Sequence, residues 1–178
     1  MERLTRRGLV QSAGALSVAA LAGCSALSED RASTTATPEY DRLRRTATYR
    51  SDDVGLRLPE EVPRVEAPSN ADLLVVHGKP AVDAERAVAW LADGRVIALL
   101  GDGAQRTWTG WTGSDEYRDA FDARARSESD PAPHLLVAAA KGTAVTTSRF
   151  SWGDLPSNRE LLRSLEEALG DVATWTPD

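Results

Sequence analysis

The sequence is poor in the groups that most often carry chemistry. It holds one cysteine, Cys24, and two histidines, His77 and His134. One cysteine excludes an internal disulfide, a cysteine zinc cluster and a paired redox thiol. The histidines show no H-E-x-x-H or similar spacing, so neither a metal nor another cofactor is expected. No Gly-x-Ser-x-Gly elbow occurs, and Gly101-Asp102-Gly103 does not continue into Gly-x-Gly-x-x-Gly. No apolar run is long enough to span a bilayer. Lysine is confined to Lys79 and Lys141, with arginine supplying the other basic residues.

What is abundant is carboxylate. The chain has 21 basic and 27 acidic residues. Setting aside residues 1–23 removes Arg3, Arg6, Arg7 and Glu2, which leaves 18 against 26, a net of −8. Such a surface repels polyanions, so nucleic acid is not an expected partner.

The N-terminus reads as an address. Arg6 and Arg7 precede a mild apolar run from Leu9 to Ala22, and Leu21-Ala22-Gly23-Cys24 closes it with small residues. A charged start, an apolar middle and a small-residue end define a secretory signal. The arginine pair resembles a twin-arginine signal, and the segment ending in Cys24 resembles a lipobox. Gly8-Leu9-Val10-Gln11 follows the arginines where many such signals read Phe-Leu-Lys, so the general secretory route is the alternative. The resemblance implies cleavage before Cys24, lipid on that cysteine and a place on the extracytoplasmic face of the membrane. An acidic, lysine-poor composition resembles proteins of salt-loving archaea, whose exported lipoproteins commonly use twin-arginine signals.

Residues 24–45 read as a Ser/Thr-rich disordered tether, because Ser25 to Pro38 cannot bury enough apolar surface to fold. A single domain is expected over 46–178. Its first strand falls in Thr46–Arg50, and Asp52–Ser69, with three prolines, reads as loop. Asp72–Val76 and Arg95–Leu100 read as strands buried on both faces. Between them Asp83 caps a helix with apolar positions at Ala84, Ala87, Val88 and Leu91, and Gly94 ends it. Gln105–Gly113 reads as a loop or hairpin, Ser114 opens a short helix, and Ser127–Pro133 is a linker. His134–Ala140 is a third buried strand and Thr143–Trp152 an antiparallel edge. Ser157 and Glu160 form a capping box for a helix that Gly170 stops. The alternation argues an α/β fold, a mostly parallel sheet flanked by helices. The pattern from Asp72 to Asp102 resembles the glutamine-amidotransferase-like flavodoxin variants, including non-catalytic extracytoplasmic members. That resemblance implies a flavodoxin-like sandwich and no activity.

Ligands of open α/β sheets bind beyond the carboxyl ends of the strands. That rule selects His77, Lys79, Asp102 and Lys141, and it places both lysines on one edge, ready to hold a small anion. Trp108 and Trp111 are candidate faces for a partner protein or a sugar. The expected role is a non-enzymatic binding or interaction domain, anchored to the membrane through Cys24. The alternative is a small hydrolase with Ser148 as nucleophile, His77 as base and Asp102 as orienter, Thr146 lying near. The plainer reading makes His77 and Asp102 turn residues and the tryptophans core.

Overall fold

In a computed structural model of the chain, residues 40–122 and 132–177 are described. Arg6, Arg7, Cys24, the tether up to residue 39 and most of the Ser127–Pro133 linker lie outside them. Strand β2, Leu73–His77, is the centre of the fold. Leu73 and Val75 pack to one face of the sheet and Leu74 and Val76 to the other. Both faces are therefore covered, which is why the run is apolar without alternation. Helix α1, Ala84–Ala92, starts where the Asp83 side chain accepts from the Arg86 N–H at 2.9 Å. It ends in a Schellman motif: Arg95 N–H donates to the Trp90 carbonyl at 3.0 Å, and Gly94 N–H to the Leu91 carbonyl at 2.9 Å. Gly94 has φ +79°, the left-handed conformation that motif needs. Strand β3, Val96–Leu100, then pairs parallel to β2, from Leu73↔Val96 to His77↔Leu100. This βαβ unit matches the sequence reading.

Beyond the unit the sheet is mixed. Strand β1, Thr48–Arg50, is parallel to β2 on its other side. Strand β4, Leu135–Lys141, runs antiparallel to β3 with Leu100 opposite Leu135. Strand β5, Ala144–Phe150, is antiparallel to β4 and forms the edge, as expected. The order is β1-β2-β3-β4-β5. The α/β class stands, but two of the pairings are antiparallel, and this order differs from the parallel 2-1-3-4-5 sheet of flavodoxin-like folds. The reason is physical. A strand buried on both faces has the same apolar sequence in either direction, and only the edge at which the chain re-enters sets its direction. Gly101 N–H donates to the His134 carbonyl at 2.7 Å, so β4 begins at the edge where β3 ends.

Two layers enclose the sheet. On one side lie α1, α2 (Ala104–Thr112) and α3 (Asp115–Ala120), packing Trp90, Trp108, Trp111, Tyr117 and Phe121 against Leu74, Ile97 and Leu136. The expected loop or hairpin over Gln105–Gly113 is thus a helix. Thr and Gly disfavour helix, but Ala104, Trp108 and Trp111 recur on one face, and their burial outweighs propensity. On the other side lies α4, Asn158–Thr174, with Leu161, Leu162, Leu165, Ala168 and Leu169 in the core. Its capping box is present: Glu160 N–H donates to Ser157 Oγ at 3.3 Å, and Ser157 N–H to Glu160 Oε2 at 2.7 Å. Gly170 does not end this helix. A Cβ there would lie 3.1 Å from the Arg42 guanidinium carbon, so the glycine provides room for Arg42 instead. Packing also begins earlier than residue 46. Tyr40 and Leu43 are buried in the same core, and the Glu166 carboxylate accepts the Arg42 and Leu43 N–H groups at 2.8 and 3.0 Å. No helix among the described residues is long and apolar enough to cross a membrane.

Candidate functional site

The parallel strands β1, β2 and β3 end on one edge, and the chain there is drawn tight by glycine. Gly78 N–H extends the ladder to the Leu100 carbonyl at 2.7 Å, and the Gly78 carbonyl accepts from Thr107 Oγ1 at 2.6 Å. A Cβ on Gly78 would stand 2.6 Å from the Gly101 carbonyl oxygen, so only glycine fits. Gly101 and Gly103 hold φ of +98° and +93°, and the stem of Lys79 lies across Gly103. His77 Nδ1 accepts the Lys79 N–H at 3.1 Å. In the neutral ring the proton therefore sits on Nε2, the nitrogen that faces Gly101.

Beside His77 the carboxyl ends of β1 and β2 open into a cavity of about 440 Å³. Its apolar wall is Val76, Val82 and Trp90, and its polar groups include His77, Tyr49 and Arg86. The Arg86 guanidinium carbon lies 5.9 Å from the centre of the Trp90 ring, a cation–π arrangement that steadies both side chains. An apolar wall with a few convergent polar groups is the usual form of a small-molecule site. Of the residues singled out in the sequence, only His77 lines it. Tyr49 and Arg86 were missed; the spacing of Arg86 and Trp90, one helical turn apart, is a signal that could have found Arg86, whereas nothing local marks Tyr49.

The remaining candidates are separated by the sheet. Asp102 is exposed on the same edge as His77, with no hydrogen bond between them. Ser148 sits on β5 in the row Ser148–Val137–Ala98–Val75. It is three strands from β2, about 14 Å at ordinary strand spacing. Thr146 is paired further along β5, opposite Ala139. Ser148, His77 and Asp102 therefore do not assemble as nucleophile, base and orienter. Lys141 ends the reversed strand β4, and so lies at the opposite edge from Lys79. The five residues of β3 separate those edges by roughly 16 Å. Lys141 Nζ donates to the Trp175 carbonyl and lies 5.7 Å from the centre of the Trp175 ring. No anion can be held between the two lysines.

Trp108 and Trp111 are core, not surface. They are 4 % and 5 % exposed. Their rings meet edge-on at 6.4 Å, Trp108 meets Tyr117 at 6.0 Å, and Trp111 Nε1–H donates to the Val82 carbonyl at 3.3 Å. A buried indole whose N–H is satisfied by backbone offers no face to a partner. Burial raises the Tyr117 hydroxyl to a pKa of about 12. Among the described residues no group of three or more His, Cys, Asp or Glu side chains is arranged to hold a metal ion. Comparison with protein-family models, curated proteins and solved structures gives no match to this chain.

Proposed function

We propose that this chain is a lipid-anchored, extracytoplasmic binding domain, and that it takes a small ligand in the cavity between the ends of β1 and β2. The anchoring rests on the sequence from Arg6 to Cys24. Two lipid chains or an equivalent second signal give stable attachment, and the Ser/Thr-rich composition of Ser25 to Pro38 supports its reading as a tether. The kinship with non-catalytic glutamine-amidotransferase-like domains is supported by the βαβ unit of Asp72–Asp102, and that support does not extend to the order of the strands. The observation that carries the binding role is the 440 Å³ cavity with His77 and Arg86 converging on an apolar wall. It suits a small molecule with an apolar body against Trp90 and a polar group near His77.

Membrane fractionation tests the anchor: the wild-type chain is expected with membranes and Cys24→Ser in the soluble fraction. Equal fractionation of the two would refute lipid attachment. A fragment screen read by the indole resonances tests the site. Hits are expected to move the Trp90 indole signal and to lose affinity in His77→Ala. Hits that leave Trp90 unmoved would exclude the cavity.

A further inference from the structure

The loop between β1 and the next extended residues holds a second hollow, distinct from the His77 cavity. It has a volume of about 540 Å³ and is lined by Arg50, Val54, Leu56, Arg57, Leu58 and Arg64. Three of its side chains are therefore guanidinium groups, in a chain with an excess of carboxylates. None of the three forms an ion pair with another described residue. The described ion pairs join Arg42 to Glu166, Arg95 to Asp93 and Arg118 to Asp115. Carboxylates are close at hand: Asp52 and Glu66 line an adjoining hollow and Glu60 another, yet none pairs with these arginines.

What holds the arginines is neutral. Arg50 Nη1 donates to the Val54 carbonyl at 2.6 Å, and Arg64 Nη2 to the Leu58 carbonyl at 2.5 Å and the Pro59 carbonyl at 3.4 Å. Backbone carbonyls orient a guanidinium without cancelling its charge. Each guanidinium has five N–H donors, so most remain for another acceptor. The Arg57 backbone is fixed to the start of α4: its N–H donates to Asn158 Oδ1 at 2.7 Å and its carbonyl accepts from Asn158 Nδ2 at 2.9 Å. The Arg57 side chain makes no hydrogen bond or ion pair with another described residue. The loop thus brings three guanidinium groups around one hollow, two of them oriented by backbone carbonyls and none in an ion pair with a described residue.

We infer that this hollow binds a small soluble anion carrying two or more carboxylate or phosphate groups. Guanidinium forks match such groups in bidentate pairs, and three forks call for more than one acidic group. The inference is independent of the export signal and of the His77 cavity.

Calorimetric titration of the full chain with citrate and with pyrophosphate, at fixed ionic strength and against a chloride control, provides the test. Saturable binding at one site is expected. Arg57→Ala removes only a side chain without partners, so its melting temperature should be unchanged while its affinity for citrate falls about tenfold, the worth of one charge-assisted hydrogen bond. Arg64→Lys should also weaken binding, because a point charge replaces a fork, whereas Lys79→Ala and His77→Ala should not. Vesicles of equal parts phosphatidylcholine and phosphatidylglycerol separate a soluble ligand from a lipid headgroup. Vesicle binding abolished by Arg57→Ala, with no heat from citrate, would overturn the soluble-anion assignment. So would the absence of saturable heat with either anion, or citrate binding unchanged in Arg57→Ala.

Discussion

The two sides of the sheet are built from different materials. The side covered by α1, α2 and α3 buries Trp90, Trp108, Trp111, Tyr117 and Phe121, and the last four rings meet edge-on or tilted at 5.0 to 6.4 Å. The side covered by α4 buries leucine and valine almost throughout, with Tyr40 as its one buried ring and Phe150 and Trp152 partly buried at its margin. The helices on the aromatic side are short, nine, nine and six residues, and large rings give each of them enough contact to stay docked. Helix α4 is 17 residues long and needs only an aliphatic stripe. Where aromatics lie in an α/β domain can therefore reflect how little helix is available to cover the sheet, and need not mark a binding surface.

The largest expected effect breaks the aromatic side. Trp108→Ala should lower stability by about 3–5 kcal/mol and remove much of the near-ultraviolet circular dichroism. Leu165→Ala on the other side should cost about 2–5 kcal/mol and leave that signal largely intact. Loss of the signal in both variants would show that the two sides do not pack independently, and loss in neither that the Trp108 cluster does not carry the signal. Gly78→Ala comes next. Its Cβ would meet the Gly101 carbonyl at 2.6 Å, and the forced shift of backbone against backbone should cost about 1–3 kcal/mol. A neutral melt would mean that the edge is looser than its hydrogen bonds indicate. Ser157→Ala removes one half of the capping box on the aliphatic side, for about 1 kcal/mol by chemical denaturation. The smallest effect is a titration. Tyr117 holds its proton more tightly when folded, so its contribution is complete below pH 10 and is lost as pH rises towards 12. Stability should fall across that window in the wild type and less steeply in Tyr117→Phe.

The parts of this fold that could be read from the sequence are those with local physical causes. Asp83, Gly94 and the Ser157–Glu160 pair mark helix ends through their own hydrogen bonds, and Leu73–Val76 marks a strand through burial on both faces. The direction of β4 has no such local mark, and taking it as parallel brought Lys141 to the wrong edge. Helix α2 was hidden because its threonines and Gly110 speak against helix while only the spacing of Ala104, Trp108 and Trp111 speaks for it. His77 was legible because strand ends are favoured sites. Arg50, Arg57 and Arg64 were not, since only the path of the loop brings three scattered charges to one hollow.

The clasp between Glu166 and the N–H groups of Arg42 and Leu43 has a consequence for how the domain is made. The first described residues of the packed unit take their partners from α4, which is synthesised after every other described element. Until α4 exists, Leu43 lacks the Glu166 clasp, and the aliphatic face of the sheet is covered only by Tyr40, Leu43 and the loop residues Val54, Leu56, Leu58 and Val62. The earliest part of the domain is thus among the last to settle, and a chain cut short before Ser157 would present Leu73, Val75 and Val137 to its neighbours as a sticky, half-covered sheet.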